Sequence, residues 1–511
     1  MARQACVGLG LSSGALRLAG LLGLVLLASL AAPGPVSAST LRLATTCLPD
    51  QEGCDGLVKQ AVYRAQGVEV NEVALSLTAD GDGLVVTDAG AVITSANGCV
   101  TDPADPHRAT CNPDGARFAR TDLELGAGDD TLRIAAAPGD PQGEQLGVSA
   151  KGGDGADTLT PSSDGNTLAG DAGDDTLTGG ASPDLLNGGD GDDQLDGRGG
   201  DDGLDGGLGS DTIVGSDGRD RVSYTGRGRG VHVDLEGDRD DGEPGEGDLV
   251  DTSVENASGG FGSDELIGDE RPNLLDGGQT GDDLLVGAGG DDYLLLSSYL
   301  AAGLDRAFGG DGNDRLEGGG ELDGGAGDDI LLGRDLADVL SGGEGDDQLV
   351  GYRGRDRIDG GPGDDDIDAR VGSYRPEPRD LDPGDEVDCG SGDDIAFPSD
   401  DVLSNCEQLA VAASCHDRTN CVASGVLRPV ARPRREVGGG RMRLGYRDRK
   451  LVMRLSSPGR RLLERRGRIR VRSDVTVRAW NYRPKSTPGE PNRRGKVSTF
   501  RSSYLFTLAA R

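Results

Sequence analysis

The chain has 511 residues, a net charge of -37, 88 Gly, 3% aromatic residues and 3 His. So few aromatics exclude one large conventional core and point to an elongated repeat body flanked by small modules. His107, His232 and His416 are scattered, and beyond residues 1–38 no GxSxG, HExxH or P-loop run is present, so no hydrolase or nucleotide-dependent site is written as a motif.

The N-terminus carries Arg3 and Arg17, an apolar run over residues 18–32 and Val36-Ser37-Ala38 before Ser39. This reads as a secretory signal peptide over residues 1–38, with the mature chain starting at Ser39. No second apolar segment of membrane-spanning length follows, so no membrane span is expected in the mature chain. Setting Cys6 aside, eight cysteines remain: Cys47, Cys54, Cys99, Cys111, Cys389, Cys406, Cys415 and Cys421. They fall into four close pairs, as expected of local disulfides in an oxidising compartment, although spacing does not fix connectivity.

Residues 39–125 alternate in the strand manner around Asp-Gly turns and read as an N-terminal β leader that covers an open sheet end. The chain then changes character. Over residues 126–223 it becomes a glycine and aspartate array, and from Gly152 to Ser223 it repeats every nine residues without a slip. The eighth position is always aliphatic, from Leu159 to Val222, and the sixth is a carboxylate in every repeat except at Asn166. A fixed short period marks a stacked-repeat architecture. Glycines at the first, second and fourth positions are expected to supply loop conformations with φ > 0. Three residues remain for a strand in which only the middle side chain points inward. Two nonapeptides then complete one turn.

Such a coil cannot stand unaided, because one buried aliphatic per nine residues does not offset the entropy of ordering them. Turns stacked about 4.8 Å apart also bring sixth-position carboxylates together, and such a pair repels by about 3 to 4 kcal/mol at an effective dielectric near 20. A cation is required. Carboxylate and carbonyl oxygens in flexible loops, without thiolate or imidazole, select Ca²⁺.

The period breaks at Tyr224, and residues 224–258 read as an inserted strand around His232 with an acidic loop; His232 sits on the strand's polar face. Nonapeptides resume over 259–294 and, after an apolar interruption, over 295–368. The Asp-x-aliphatic spacing makes Asp130, Asp157, Asp175, Asp184, Asp193, Asp202, Asp211 and Asp220 candidate metal ligands before the insert. After it come Asp264, Asp282, Asp292, Asp314, Asp329, Asp338, Asp347, Asp356 and Asp365. Fragments return at Asp385 and Asp394. Asn166 and Asn273 offer an oxygen without charge, and fifth-position Asp174, Asp192, Asp201, Asp346 and Asp364 are expected to be solvated. Each break either ends a stack or bulges a loop, giving an expectation of three calcium-loaded blocks.

Residues 369–421 form a Cys-bearing cap. From residue 422 to 511 the charge inverts, with 25 Arg and Lys against 5 Asp and Glu. Alternating runs there suggest a small β-sandwich, and Arg461 to Arg468 suit a short basic helix. No zinc finger, helix-turn-helix or paired aromatic platform accompanies the arginines, so nucleic acid is not the expected partner. An anionic cell-envelope or matrix polymer fits an exported chain, and neutralising the acidic repeats is the plain alternative.

The nonapeptides resemble the hemolysin-type, or repeats-in-toxin (RTX), calcium-binding array, whose pattern is GGxGxDxUx with U aliphatic. That resemblance implies an all-β protein built on a parallel β-roll, with several Ca²⁺ ions held between neighbouring loops by the sixth-position Asp and loop carbonyls. The leader, with its Gly126 to Leu132 approach to the repeats, and the cap around Asp388-Cys389-Gly390 and Asn405-Cys406-Glu407 are similar to segments of secreted actinobacterial proteins. The latter resemblance implies a disulfide from Cys389 to Cys406. No separate catalytic module is visible, so the expectation is a secreted, non-enzymatic protein with a structural or adhesive role. A carbohydrate-active or other hydrolytic enzyme carrying these repeats is the competing one.

Overall fold

The structure, a computed structural model, describes residues 38–47, 57–65, 67, 70–78, 83–111, 118–134, 147–160, 165–296, 304–368, 385–391, 394–397, 402–404, 408–412, 420–429, 438–444, 450–455, 468–482 and 494–509. Every regular element among them is a β-strand. The expected signal peptide lies outside the described residues apart from Ala38, as do Cys54, Cys406 and Cys415.

The nine-residue period becomes structure through its single aliphatic. In the strand Thr158–Thr160 the central Leu159 is buried and the flanking threonines are half-exposed. It pairs in parallel with Thr176–Thr178, placing Leu159 against Leu177, two nonapeptides on. Strands therefore alternate between two parallel faces, and the eighth-position aliphatics of both meet as one core. The chain is a parallel β-roll.

At least one face runs through every interruption. Arg221–Ser223 pairs directly with Asn256–Ser258, Val222 against Ala257, so the first face runs on across the insert. Leu285 likewise pairs with Ala307, and Ile358 with Val387, across the other two breaks. On the second face the sheet ends at Leu249–Val250, and pairing starts afresh at His232–Asp234, which lies beside Glu265–Ile267. Strand pairing thus crosses the insert on the first face alone, and crosses the two later breaks where Leu285 meets Ala307 and Ile358 meets Val387.

The leader extends both faces. Phe118–Ala127 joins Val148–Asp154 to Leu57–Arg64, which pairs with Ala38–Cys47. Glu72–Leu77 lies parallel to Thr131–Ile134 and antiparallel to Leu84–Asp88. A disulfide joins Cys99 to Cys111, and Cys389 is buried and disulfide-bonded.

At the other end the expected separate sandwich is replaced by one sheet. Asn420–Pro429, Gly438–Leu444, Lys450–Leu455, Arg468–Tyr482 and Arg494–Ala509 pair antiparallel among themselves. Its edge Arg494–Ala509 lies parallel to Val402–Ser404, and its other edge, Lys450–Leu455, lies antiparallel to Gln408–Ala412. Those two partners are the last strands of the two faces, whose open N–H and C=O groups demand pairing. Arg468 begins a strand, and the remainder of the expected helix lies outside the described residues.

Candidate metal centre

Each sixth-position aspartate sits at the end of a loop, just before its strand, and its carboxylate turns inward under the loop. Its Oδ1 accepts the main-chain N–H of the sixth-position residue one turn earlier. Asp157 donates to Asp175 at 2.7 Å, Asp175 to Asp193 at 2.7 Å and Asp193 to Asp211 at 2.9 Å. On the other column Asp184 donates to Asp202 at 2.7 Å and Asp202 to Asp220 at 2.8 Å. After the insert the ladder resumes through Asp292, Asp314, Asp329, Asp347 and Asp365.

The other oxygen has a different environment. The Oδ2 atoms of Asp130, Asp157, Asp175, Asp193, Asp202, Asp211, Asp220, Asp283, Asp292, Asp314, Asp329, Asp347 and Asp365 are buried without a hydrogen-bond partner. Such groups cost free energy unless something compensates them. Burial pushes the carboxyls of Asp157, Asp193, Asp202, Asp211, Asp283, Asp292, Asp329 and Asp365 up to about 7, with neighbouring carboxylates adding to it and the N–H on Oδ1 opposing. Asp130, Asp175 and Asp347 rise to about 6, again through burial.

First-position glycine has a reason other than the backbone freedom expected for it. Gly188 does not have a positive φ. A Cβ on it would lie 2.2 Å from Asp193 Oδ2 and 2.2 Å from the Gly206 carbonyl oxygen. The glycine therefore makes room for a carboxylate oxygen and a next-turn carbonyl oxygen facing one small space. The fourth-position glycine does meet the expectation, since Gly191 has φ 148° and a Cβ there would strike the Gly173 carbonyl at 2.0 Å.

The donor set fits a hard divalent cation. It consists of anionic carboxylate oxygens and main-chain carbonyls from successive turns, it is short of positive charge, and flexible oxygen cages of this kind suit Ca²⁺. The residues that would hold it are the thirteen with an unpartnered Oδ2.

Other expected ligands stand differently. Asp282 is displaced: it is exposed and its Oδ1 accepts the Leu304 N–H at 3.1 Å, whereas Asp283 is buried and accepts the Asp264 N–H at 3.0 Å. The extra residue of this repeat falls within the loop 277–281, so Asp283 and Leu285 are the inward pair. Asp184, Asp264 and Asp338 spend the second oxygen on main-chain N–H groups, of Gly180, Gly260 and Arg334 at 2.5, 2.8 and 2.7 Å. Asp356 keeps the ladder bond, accepting from Asp338 at 3.0 Å. Asn273 turns its oxygen to the Asp269 N–H at 2.8 Å.

The fifth-position residues are exposed as expected but not idle. Asp174 Oδ1 accepts the Asp192 N–H at 3.1 Å, and Asp192 Oδ1 accepts that of Ser210 at 3.0 Å. This outer ladder runs opposite to the inner one. His232 pairs on the surface with Glu265, Nδ1 to Oε2 at 3.3 Å.

Several ladder members fall outside the ligand set expected from the sequence. Asp305, Asp385 and Asp394 accept from Asp283, Asp356 and Asp365 at 3.0, 2.9 and 3.2 Å. Each stands two residues before a buried aliphatic, Ala307, Val387 and Ala396, which is the spacing that finds them. Asp248 extends the ladder past Asp211 at 2.9 Å, and Asn71 begins it, donating to Asp130 at 2.6 Å.

A family model described as the RTX calcium-binding nonapeptide repeat matches residues 169–204, 205–223, 258–294, 301–323, 321–340 and 341–373. No curated protein matches the chain. Among the described residues no helix is long and apolar enough to cross a membrane. Over the matched stretches the chain consists of RTX calcium-binding nonapeptide repeats, and their described residues fold as a parallel β-roll.

Proposed function

We propose that this is an exported protein whose roll folds on meeting extracellular calcium and then serves a structural or cell-surface adhesive role, without catalysis. The observation that carries the reading is the file of buried, unpartnered Oδ2 atoms stacked turn on turn. Without a cation these carboxylates repel one another and lose their hydration; with calcium the same oxygens become ligands, so binding and folding are one event. Extracellular calcium modules bind at about 10⁻⁴ to 10⁻³ M, above cytosolic calcium. Such a chain stays loose inside the cell and orders outside it. The N-terminal segment with its small-residue cleavage motif supports export, as does the Cys99–Cys111 disulfide.

The Arg-rich C-terminal sheet closes the roll, and we assign to it the attachment to an anionic envelope or matrix polymer. Circular dichroism of the full chain during chelation tests the calcium reading, and an unchanged β signal in excess chelator refutes it. Salt-sensitive retention of the full chain on anionic envelope fractions tests the attachment.

A further inference from the structure

At the insert the regular loops fail, yet on the first face the strands on either side stay in register. The loop 251–255 ends in Glu255, whose Oε2 accepts the Asp220 N–H at 2.9 Å and so takes the ladder position after Asp220. The next loop in that column, 268–273, ends in Asn273, whose Nδ2 donates to the Glu255 carbonyl at 2.8 Å. A neutral amide thus stands where a carboxylate is the rule.

Between these two loops lies the side chain of Arg271. It occupies the fourth position of its loop, the place of Gly191 in a regular one. Its Nη1 donates to Glu255 Oε1 at 2.6 Å and its Nε to Asp269 Oδ2 at 2.8 Å. Its Nη2 donates to the carbonyl oxygens of Thr252 and Val254 at 2.6 and 3.0 Å. These are one carboxylate from each loop and two carbonyls of loop 251–255, and carboxylate and loop carbonyl oxygens are what face the space between regular loops. Here a planar fork of N–H groups meets them, and guanidinium is suited to several oxygens at once.

We propose that Arg271 is a built-in cation, filling between loops 251–255 and 268–273 the place that calcium takes between regular loops, so that this junction of the roll holds together without metal. The proposal rests on the calcium reading of the regular loops. The opposite loop column carries the same substitution in another form. Asp248, the ladder residue after Asp211, has its Oδ2 bonded by the Tyr224 hydroxyl at 2.9 Å, although that oxygen lacks a partner in Asp211. The buried Arg227 guanidinium lies 5.7 Å over the Tyr224 ring, with Nη2 3.9 Å from Glu246 Oε2. On both sides of the roll, protein groups therefore meet the junction's acidic oxygens, and the metal-dependent repeats before and after it share a rigid middle.

Hydrogen exchange on the full-length protein, in chelator and in millimolar calcium, tests this. In chelator, amides of 249–275 are expected to stay protected while those of 170–213 and 309–367 exchange freely; calcium then protects all three. Arg271→Gln should speed exchange at 249–275 in chelator on the order of tenfold or more. Arg271→Lys, which keeps the charge, should lose less. Exchange at the junction as fast as in the regular repeats, or Arg271→Gln indistinguishable from wild type, overturns the proposal. Equal loss in the Lys and Gln variants overturns it as well. Failure of the calcium reading looks different, because calcium would then protect none of the regular segments.

Discussion

The main-chain N–H of Asp175 donates to Oδ1 of Asp193 at 2.7 Å, one full turn further along the roll. The carboxylate of Asp193 thus has two separate duties. Oδ1 closes a backbone bond between turns, and Oδ2 stays without a protein partner, facing the Gly206 carbonyl.

Substitutions at this residue should separate the duties. Asp193→Asn keeps an oxygen for the Asp175 N–H and removes a buried charge, so the calcium-loaded roll should keep its ladder while calcium binding at that loop weakens. Asp193→Ala removes both and leaves a buried N–H unsatisfied, costing about 1 to 3 kcal/mol beyond the loss in Asp193→Asn. Asp192→Ala touches only the exposed outer ladder and should cost under about 1 kcal/mol with calcium stoichiometry unchanged. Calorimetric calcium titration with thermal melts in saturating calcium checks all three. Equal calcium loss in Asp192→Ala and Asp193→Ala would remove the distinction between the ladders.

Stability without calcium should fall as pH rises. Burial raises Asp157, Asp193 and Asp211 to about 7 in the folded chain, against about 3.9 for an unfolded aspartate. Between those values the folded state binds more protons than the unfolded one, so the slope of unfolding free energy against pH is negative. The proton's contribution is fullest near pH 4 and is lost as pH climbs through about 7. Calcium reverses the dependence, since its ligands must be deprotonated. Circular dichroism in chelator at pH 5 and pH 7.5 measures the first effect, and a β signal at pH 7.5 as strong as at pH 5 or stronger contradicts it.

The first-position glycine gives a second, independent handle. In Gly188→Ala the new Cβ would meet Asp193 Oδ2 and the Gly206 carbonyl oxygen at 2.2 Å, and the latter belongs to backbone that cannot swing away. The carboxylate must leave its position. The expected outcome is about 1 to 3 kcal/mol of destabilisation, as for overpacking elsewhere, together with loss of calcium binding at that loop. Binding at wild-type stoichiometry with an unshifted melt would show that the space is larger than the geometry says.

What could be read from residues was whatever repeats locally. An aspartate two residues before an aliphatic marks Asp193 with Leu195, and the same spacing places Asp305 before Ala307. The spacing fails where both letters are doubled. Asp282-Asp283-Leu284-Leu285 contains two legitimate pairs, and only the position of the extra loop residue chooses Asp283 and Leu285. Pairings over long separations are equally silent. Nothing near Val222 shows that it will stack on Ala257 beyond the insert, and nothing in the alternation of residues 468–482 shows that their sheet closes the roll. The role of Gly188 was hidden too, because a glycine needed for backbone freedom and one needed for space are the same letter.

The leader should be held by a device that owes nothing to calcium. Asp88 is buried, and its Oδ2 accepts the Tyr63 hydroxyl and, at 3.4 Å, that of Ser39. Its Oδ1 accepts the N–H groups of Gly90 and Ala91 at 2.9 and 3.2 Å. These bonds tie the strands Leu57–Arg64 and Ala38–Cys47 of the first face to Leu84–Asp88 of the second. Burial and the Asp88 carboxylate together raise the Tyr63 hydroxyl far above its ordinary value, so it stays a donor at any pH the protein meets. Asp88→Ala strands several buried donors and should cost about 2 to 4 kcal/mol, whereas Tyr63→Phe removes one bond and should cost about 1 to 2. Both losses should be the same in chelator and in calcium, because none of the thirteen aspartates with an unpartnered Oδ2 takes part. Melts of the two variants under both conditions check this, and a loss confined to the calcium-bound state would mean that the leader, too, is organised by the metal.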